Sequence, residues 1–196
     1  MTDSRGAAGL VLAAGAGTRF RPAVKQLADL CGRPLLQWAI GAACAVRELS
    51  RVVVVVGAHA DAVLAGVELG RAQAVVCEGW ADGQSASLRC GLRALGDGVE
   101  RVVVTLGDAP LVTPEVIALL ASAPPRARAV YRGRPGHPVV LGADEIAAAR
   151  SLRGDRGARE LLRGGATIDV GHLCCGRDVD TPEDLEEIRD EARAVL

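Results

Sequence analysis

The chain has 196 residues, of which 49% are hydrophobic, 24% charged and 2% aromatic, and its formal net charge at pH 7 is −1. A chain of this size can bury a core of its own, so we treat residues 1–196 as one domain. It lacks the basic surface and the aromatic platforms that bind nucleic acid or an anionic membrane, so neither partner is expected. No apolar run approaches the roughly 20 residues of a membrane helix, and six cysteines without a CxxC pair favour reduced thiols in the cytoplasm.

Short apolar runs alternate along the chain with longer segments of helical pattern. The strand candidates of the first half are GLVLA, RVVVVVG, AQAVV and RVVVTLG. The helix candidates between and after them are residues 35–46, 59–69, 85–95 and 116–120. Later elements are a PVVL strand, helices over 144–151 and 157–162, a strand around residue 168 and a charged helix over 183–195.

Strands that are apolar at every residue, such as 52–56, need cover on both faces, and the intervening helices supply it. We therefore predict a three-layer α/β/α fold with a mostly parallel, doubly wound, Rossmann-like sheet. Ligands of such sheets bind beyond the carboxyl ends of the strands. The loops after Leu12, Val56, Val76 and Leu106 are thus expected to carry the chemistry.

The first strand runs into a loop of small residues, in the stretch GLVLAAGAGTRF. Residues Ala13 to Gly17 leave backbone N–H groups open to an anion. The loop is not a Walker motif, and it lacks the third glycine of GxGxxG because Phe20 stands there. Arg19 can bind a phosphate through two parallel hydrogen bonds, and Lys25 can act as a compact point charge beside it. The alternative is a glycine-rich turn with two solvated cations. We expect Lys25 to be an exposed loop residue that contributes far more to turnover than to folding.

Two later segments supply carboxylates. In LGDAP, Asp108 directly follows a buried strand, and in RDVDTPEDL the residues Asp178 and Asp180 lie two positions apart. Thr181 can begin the last helix, with Asp184 in position for a capping contact. Mg²⁺ on a nucleoside triphosphate binds one or two carboxylates together with phosphate oxygens. Asp108 and Asp180 are therefore the metal candidates, and a structural role in a turn or cap is the alternative for each.

These segments together resemble one family. LAAGAGTRF followed by Lys25, CGRPLLQWAI, LGDAP and DVDTPEDL resemble the MobA-like nucleotidyltransferases. GRPGHPVVL (Gly133–Leu141) and GDRGARELL (Gly154–Leu162) more narrowly resemble the molybdenum cofactor cytidylyltransferases. The resemblance spans nearly the whole chain and implies a fold of the nucleotide-diphospho-sugar transferase type. It implies transfer of CMP from CTP·Mg²⁺ to the terminal phosphate of the molybdopterin cofactor, with release of pyrophosphate.

The resemblance also assigns residues. The nucleotide-binding set that it implies is Leu12, Ala13, Ala14, Gly15, Gly17, Arg19, Lys25, Gly83, Gln84, Ser87 and Asp108. Gly83, Gln84 and Ser87 would contact the base, although Ser85 and Ser87 also suit a helix start. Asp108 and Asp180 would hold Mg²⁺, and His137 would face the acceptor or serve only as a loop hydrogen-bonder.

Lys25, Arg19 and Asp108 are the implied catalytic residues. A phosphate monoester has a second pKa of roughly 6, so it is largely dianionic at neutral pH and needs no general base. Catalysis then consists of positioning and of neutralising the charge that builds at the α-phosphate.

Several other functions stay open. Guanylyl-transferring relatives usually have a second glycine where this chain has Ala14, which favours CTP over GTP. VKQ also resembles the cytidylyltransferase of isoprenoid synthesis, so a different phosphorylated acceptor is an alternative. A non-catalytic protein that delivers the cofactor to a molybdoenzyme or its chaperone is another. A nicotinamide or flavin oxidoreductase is disfavoured, because Phe20 replaces the third glycine and Gly57–His59 bring no acidic residue after the second strand.

Overall fold

The computed structural model describes residues 6–20, 23–153 and 160–195. The strands are β1 (Ala7–Ala13), β2 (Asp29–Leu30), β3 (Arg33–Pro34), β4 (Leu49–Val56), β5 (Gln73–Val76), β6 (Arg101–Leu106), β7 (Arg128–Tyr131), β8 (Arg134–Gly142) and β9 (Thr167–Asp169). The α-helices are α1 (Leu35–Ala45), α2 (Ala60–Gly66), α3 (Gln84–Leu95), α4 (Pro114–Ala121), α5 (Ala143–Ala149) and α6 (Pro182–Val195).

Seven strands form one sheet in the order β5-β4-β1-β6-β8-β7-β9. Strands β1, β4, β5 and β6 are mutually parallel, as predicted. The second half departs from the regular pattern, because β8 runs antiparallel to both β6 and β7. The start of β8 therefore lies at the same edge as the carboxyl ends of the parallel strands, and the predicted PVVL strand is the middle of this longer one.

The sheet is covered on both faces, as the continuous apolar strands require. Alternate residues of β4 enter two different cores: Val52, Val54 and Val56 pack with α1 and α4, while Val53 and Val55 pack with α3 and α5. Helix α3 lies close to the sheet at Gly91, where a Cβ atom would overlap the Leu10 side chain. The predicted three-layer architecture is confirmed.

A smaller third core packs helix α6 against the end of the loop after β1 and against the β2–β3 hairpin. It contains Phe20, Leu30, Leu111 and Val179 together with the inner face of α6. Phe20, 4% exposed, thus anchors the end of the first loop. The backbone N–H of Val179 donates to the carbonyl of Asp108 at 2.8 Å, which places Asp178 and Asp180 beside Asp108.

A few predicted elements differ in extent. Helix α2 ends at Gly66 rather than near residue 69. Strand β7 and the β2–β3 hairpin were not predicted, because such short strands have too few residues to show the alternation of apolar and polar side chains that identifies a strand. Of the helix predicted over 157–162, residues 157–159 lie outside the described residues, as does most of the GDRGARELL segment, and residues 160–162 form a turn rather than a helix. Within the described part of the chain, no helix has both the length and the apolar content to cross a membrane.

Candidate functional site

A cleft of about 1160 Å³ opens at the carboxyl ends of the parallel strands. Its walls come from the loop after β1, the turn after β5, the end of β6 and the start of β8. The predicted site residues that line it are Leu12, Ala13, Ala14, Gly15, Lys25, Gly83, Gln84, Ser87, Asp108 and His137. Gly17, Arg19 and Asp180 are not among the lining residues, but Lys25 contacts Asp180 and Asp180 contacts Arg19.

The loop after β1 is held from behind by its neighbours. The carbonyl of Ala14 accepts a hydrogen bond from the Ala58 N–H at 3.1 Å, and the His59 ring lies 3.3 Å from the Ala16 carbonyl. Within the described ranges, no backbone carbonyl accepts from the N–H groups of Gly15, Ala16 or Gly17. These donors are available to an anion, as the loop composition predicts.

Lys25 lies between two carboxylates. Its Nζ is 2.6 Å from Asp108 Oδ2 and 3.2 Å from Asp180 Oδ1, and its side chain is 10% exposed. The expectation of an exposed loop lysine was therefore wrong, because the short 3₁₀ turn Lys25–Leu27 directs the chain inward. Lys25 is also the only lysine in the sequence, in which the other basic residues are arginines.

Both predicted cations face the acidic residues. Burial by itself lowers the pKa of Lys25, but attraction to and hydrogen bonding with Asp108 and Asp180 outweigh it, so that pKa is raised. Arg19 Nη2 is 2.9 Å from Asp180 Oδ2, although the arginine side chain is 68% exposed. Arg19 and Lys25 are the cations expected to meet phosphate, and in the free protein they neutralise Asp108 and Asp180.

Asp108 and Asp180 are the kind of oxygen donors that a divalent metal ion bound together with phosphate uses. Within residues 6–20, 23–153 and 160–195, no group of three or more His, Cys, Asp or Glu side chains could hold a metal by itself. Mg²⁺ prefers oxygen ligands and commonly takes one or two carboxylates, with phosphate oxygens and water completing its shell. Asp108 and Asp180 supply that donor set and share a contact with one ammonium group.

Asp178 was not proposed as a site residue, yet it lines the cleft. Loss of water around its carboxyl group raises its pKa to about 7, repulsion from Asp108 and Asp180 adds to the rise, and Lys25 opposes it. Its side chain is exposed to solvent in the open cleft, and solvent screening keeps the effect of this shift on stability small. The spacing of DVD was the signal, since alternate residues of an extended segment share one face.

The segment that carries Asp180 is fixed by a helix cap. The Asp184 carboxylate accepts hydrogen bonds from the N–H of Asp180 at 2.9 Å and the N–H of Thr181 at 2.8 Å. The Thr181 Oγ1 accepts in return from the Asp184 N–H at 3.1 Å. The geometry agrees with the predicted capping contact and orients the backbone of Asp180.

Replacing Asp184 with alanine is expected to lower the free energy of unfolding by about 1 kcal/mol at pH 7, a typical loss for a helix cap. The hydrogen bond from the Asp180 N–H, with those from Thr181, holds the pKa of Asp184 below its ordinary value. Its stabilisation is therefore present above the unfolded-state pKa of about 3.9 and is lost as the pH falls through the lower folded-state pKa. Urea unfolding of both proteins at pH 7 and at about pH 3 checks this: the difference should shrink in acid, and an equal difference would contradict the cap.

The opposite wall holds the predicted base-reading residues. Helix α3 begins at Gln84 after Gly83, whose φ of 97° is in the left-handed region that glycine adopts without strain. Ser87 and Gln84 line the cleft, whereas Ser85 is completely buried and accepts a hydrogen bond from Arg89 at 3.0 Å. Ser85 therefore lies buried in the first turn of α3, and among the described residues no side chain forms a cap hydrogen bond at the start of this helix. Trp80 also lines the cleft and was missed, because a single tryptophan has no pattern that separates a core residue from a site residue.

The start of β8 forms the remaining wall. His137 lies there beside Pro135 and Gly136, and its carbonyl accepts a hydrogen bond from the Tyr131 hydroxyl at 2.5 Å. The Tyr131 ring lies against Gly136, where a Cβ atom would come within 3.0 Å, and against Gly176, where a Cβ atom would overlap it. One aromatic side chain thus joins the predicted acceptor wall to the segment that leads to Asp178.

Comparisons with known proteins agree with this geometry. A family model described as "MobA-like NTP transferase domain" matches residues 9–170. Nicotine blue oxidoreductase from Paenarthrobacter nicotinovorans is 33% identical over 199 residues, which covers 94% of this chain and 97% of that protein. A 2-C-methyl-D-erythritol 4-phosphate cytidylyltransferase from Cereibacter sphaeroides is 39% identical over 148 residues, with 67% of this chain and 64% of that protein covered. A bifunctional GlmU protein from Cutibacterium acnes, 34% identical over 83% of this chain, is matched over 36% of its own length.

Solved structures extend the comparison. The Rv0371c homologue from Mycobacterium sp. strain JC1 superposes with a TM-score of 0.83 and 28% identity, covering 97% of this chain and 98% of that one. The Mycobacterium tuberculosis Rv0371c complex with manganese gives a TM-score of 0.79 and 25% identity over 94% of this chain and 98% of that one. The family model includes the β1 loop, Lys25 and Asp108. By these matches and the geometry of its cleft, the chain belongs to the MobA-like NTP transferase family.

Proposed function

We propose that this protein transfers CMP from CTP to the terminal phosphate of a molybdopterin-type acceptor, releasing pyrophosphate, in the cytoplasm. The single observation that carries the proposal is the cluster of Lys25, Arg19, Asp108 and Asp180 beside a loop with free backbone N–H groups. Such a cluster offers donors and cations to a triphosphate and oxygen ligands to its metal ion.

Each group has a defined part in the proposed reaction. The N–H groups of the β1 loop bind the triphosphate, and Lys25 and Arg19 turn from the carboxylates to the phosphates. Asp108 and Asp180 would hold Mg²⁺, which supplies charge neutralisation at the phosphates when it is bound. The acceptor phosphate attacks the α-phosphorus, the bond to the β-phosphate oxygen breaks, and pyrophosphate leaves with the electron pair. Orientation and electrostatic stabilisation supply the rate, so no general base is required.

CTP is preferred over GTP in this proposal. Ala14 is 3% exposed, and a Cβ built on Gly57 would come within 2.9 Å of its Cβ, so the loop is closely packed at the position where the guanylyl-transferring relatives usually have glycine. The cytidylyltransferase among the relatives supports the same base. The acceptor wall around His137, with Arg128 facing the cleft, suits a phosphorylated acceptor. GTP with the same acceptor, or CTP with another phosphate monoester, is the alternative within this reaction class.

The test is a thermal-shift titration with CTP, GTP, ATP and UTP, each with and without magnesium. Binding at 100 times the dissociation constant stabilises a protein by about 2.7 kcal/mol, which such an assay detects. We expect the largest magnesium-dependent shift with CTP, followed by pyrophosphate release when the acceptor is added. A larger shift with GTP would change the nucleotide, and no shift with any triphosphate would remove the proposal.

Oxidoreduction is the second candidate, because the relative that matches nearly the whole chain is named nicotine blue oxidoreductase. A reductase has no need of two carboxylates around a lysine, which is why we place it second. Incubation with NADH or NADPH and an organic electron acceptor separates the two. Reduced-cofactor consumption that survives Asp108→Asn would favour the oxidoreductase, whereas no consumption together with a CTP shift favours nucleotidyl transfer.

A further inference from the structure

We propose that Gln26 is the positioning residue that sets the shape of the triphosphate-binding loop, an inference that rests on the proposed function. Gln26 immediately follows Lys25 and lines the same cleft, and it is 5% exposed. The hydrogen bonds of its side chain within the described residues do not involve the charged cluster. Its contacts are instead with the backbone of the loop.

Both amide hydrogens of Gln26 are used on that backbone. The Nε2 donates to the Ala13 carbonyl at 3.0 Å and to the Gly15 carbonyl at 2.8 Å. These two carbonyls lie on either side of residue 14, at the point where the chain leaves β1. A single side chain therefore holds two peptide groups of the loop in one orientation.

Because of the geometry of the peptide bond, this contact also determines the direction in which the backbone N–H groups of the loop point. In a trans peptide the carbonyl of one residue points opposite to the N–H of the next. With the carbonyls of Ala13 and Gly15 turned towards Gln26, the N–H groups of Ala14 and Ala16 point away from it. The Ala14 carbonyl is held separately by Ala58, which leaves the neighbouring loop peptides little freedom to rotate. Gln26 thus fixes which loop groups face an anion.

The other end of the same amide supports this role. Gln26 Oε1 is buried and has no hydrogen-bond partner within the described ranges. A buried acceptor without a donor costs free energy. The orientation of the Gln26 amide is therefore determined by the two hydrogen bonds that its Nε2 donates, since its Oε1 has none to contribute. Gly17 is fitted to the same turn, because a Cβ there would lie 2.9 Å from Lys25 Cβ. The loop and the 3₁₀ turn therefore form one interlocked unit.

The experiment compares Gln26→Met with Gln37→Met. Gln37 is the matched control: its Nε2 donates to the Glu68 carbonyl at 3.0 Å and its Oε1 accepts from the Glu68 N–H at 2.7 Å, outside the cleft. Calorimetry measures the dissociation constants of CTP·Mg²⁺, GTP·Mg²⁺ and inorganic triphosphate, and urea unfolding measures the stability of each ligand-free protein. Gln26→Glu is the second variant, since a carboxylate of the same size cannot donate to the two carbonyls.

We expect Gln26→Met and Gln26→Glu to weaken binding of all three probes by about tenfold or more and by similar factors, because the loop contacts phosphate and not base. Gln37→Met should bind like wild type. The Gln26 variants should stay folded under the binding conditions but unfold at a lower urea concentration than Gln37→Met, because they leave the carbonyls of Ala13 and Gly15 without a donor. Wild-type-like affinity in either Gln26 variant would overturn the positioning role while leaving the proposed function intact. A wild-type protein that binds no triphosphate would overturn both.

Discussion

The Asp108→Asn variant should lose about 100-fold to 1000-fold in magnesium-dependent nucleotidyl transfer, the range typical of removing one preorganised electrostatic group. The substitution keeps the size of the side chain and an oxygen that can accept from Lys25, but it removes one of the two charges that face the ammonium group. The fold should persist, because the backbone carbonyl of Asp108 still accepts from Val179. Initial rates of pyrophosphate release and circular dichroism measure the two quantities.

Asp97→Asn is the matched control for this prediction. Asp97 is also ion-paired with a basic residue, Arg150 at 3.3 Å, but its side chain is 99% exposed and lies outside the cleft. A surface pair of this kind contributes little, so the control should keep the wild-type rate. A rate for Asp108→Asn that is unchanged within a factor of two would remove Asp108 from the proposed mechanism.

Replacing Lys25 with methionine is expected to reduce turnover by about 100-fold, because one preorganised cation is lost from the triphosphate site. It should also destabilise the free protein at neutral pH, since Asp108 and Asp180 would face each other without the ammonium that both contact. The carboxylates are partly exposed, so solvent screening limits this loss to about 1 kcal/mol. Urea unfolding and steady-state rates measure both effects. Lys25→Arg keeps the charge and serves as the control for stability, although its planar fork does not reproduce a point charge.

The raised pKa of Lys25 gives a second test of its ion pairs, by titration of the amine. The stabilisation from this group is complete below the unfolded-state pKa of about 10.4 and is lost as the pH rises through the higher folded-state value. Since Lys25 is the only lysine, biosynthetic incorporation of ¹³C-lysine labels this side chain alone without altering its ammonium group, and its NMR titration should have a midpoint above 10.4. A midpoint at or below that value would show that the ion pairs seen here do not persist in solution.

Much of the architecture could be predicted from the sequence because it depends on local patterns. Runs such as 52–56 are apolar at every position, which only a sheet covered on both faces accommodates, and the cap at Asp184 follows from a four-residue motif. The loop after β1 and Asp108 were found because a ligand-binding edge follows from strand direction. These features need no knowledge of distant contacts.

The remaining features depend on contacts between segments far apart in the chain. Nothing in the residues around Lys25 shows that Asp180, 155 positions later, shares its ammonium group, so the lysine was expected to be exposed. Gln26 follows a charged residue in a loop, and its burial is decided by the carbonyls of β1. The antiparallel direction of β8 is set by its pairing with β6 and β7, and the sequence PVVL is equally compatible with a parallel strand.

That reversed strand affects how the acceptor wall could change in evolution. The nucleotide side of the cleft is built from loops, which tolerate insertions and deletions. The proposed acceptor wall is built instead from paired strand residues, with Pro135 opposite Val130 and Arg134 opposite Tyr131. Inserting one residue into such a ladder turns the following side chains to the other face of the sheet unless a bulge absorbs it, and this ladder already has one irregularity between Arg128 and Val130. If this wall contacts the acceptor, as we propose, exchanging side chains at its paired positions disturbs the sheet less than changing the length of the strand does.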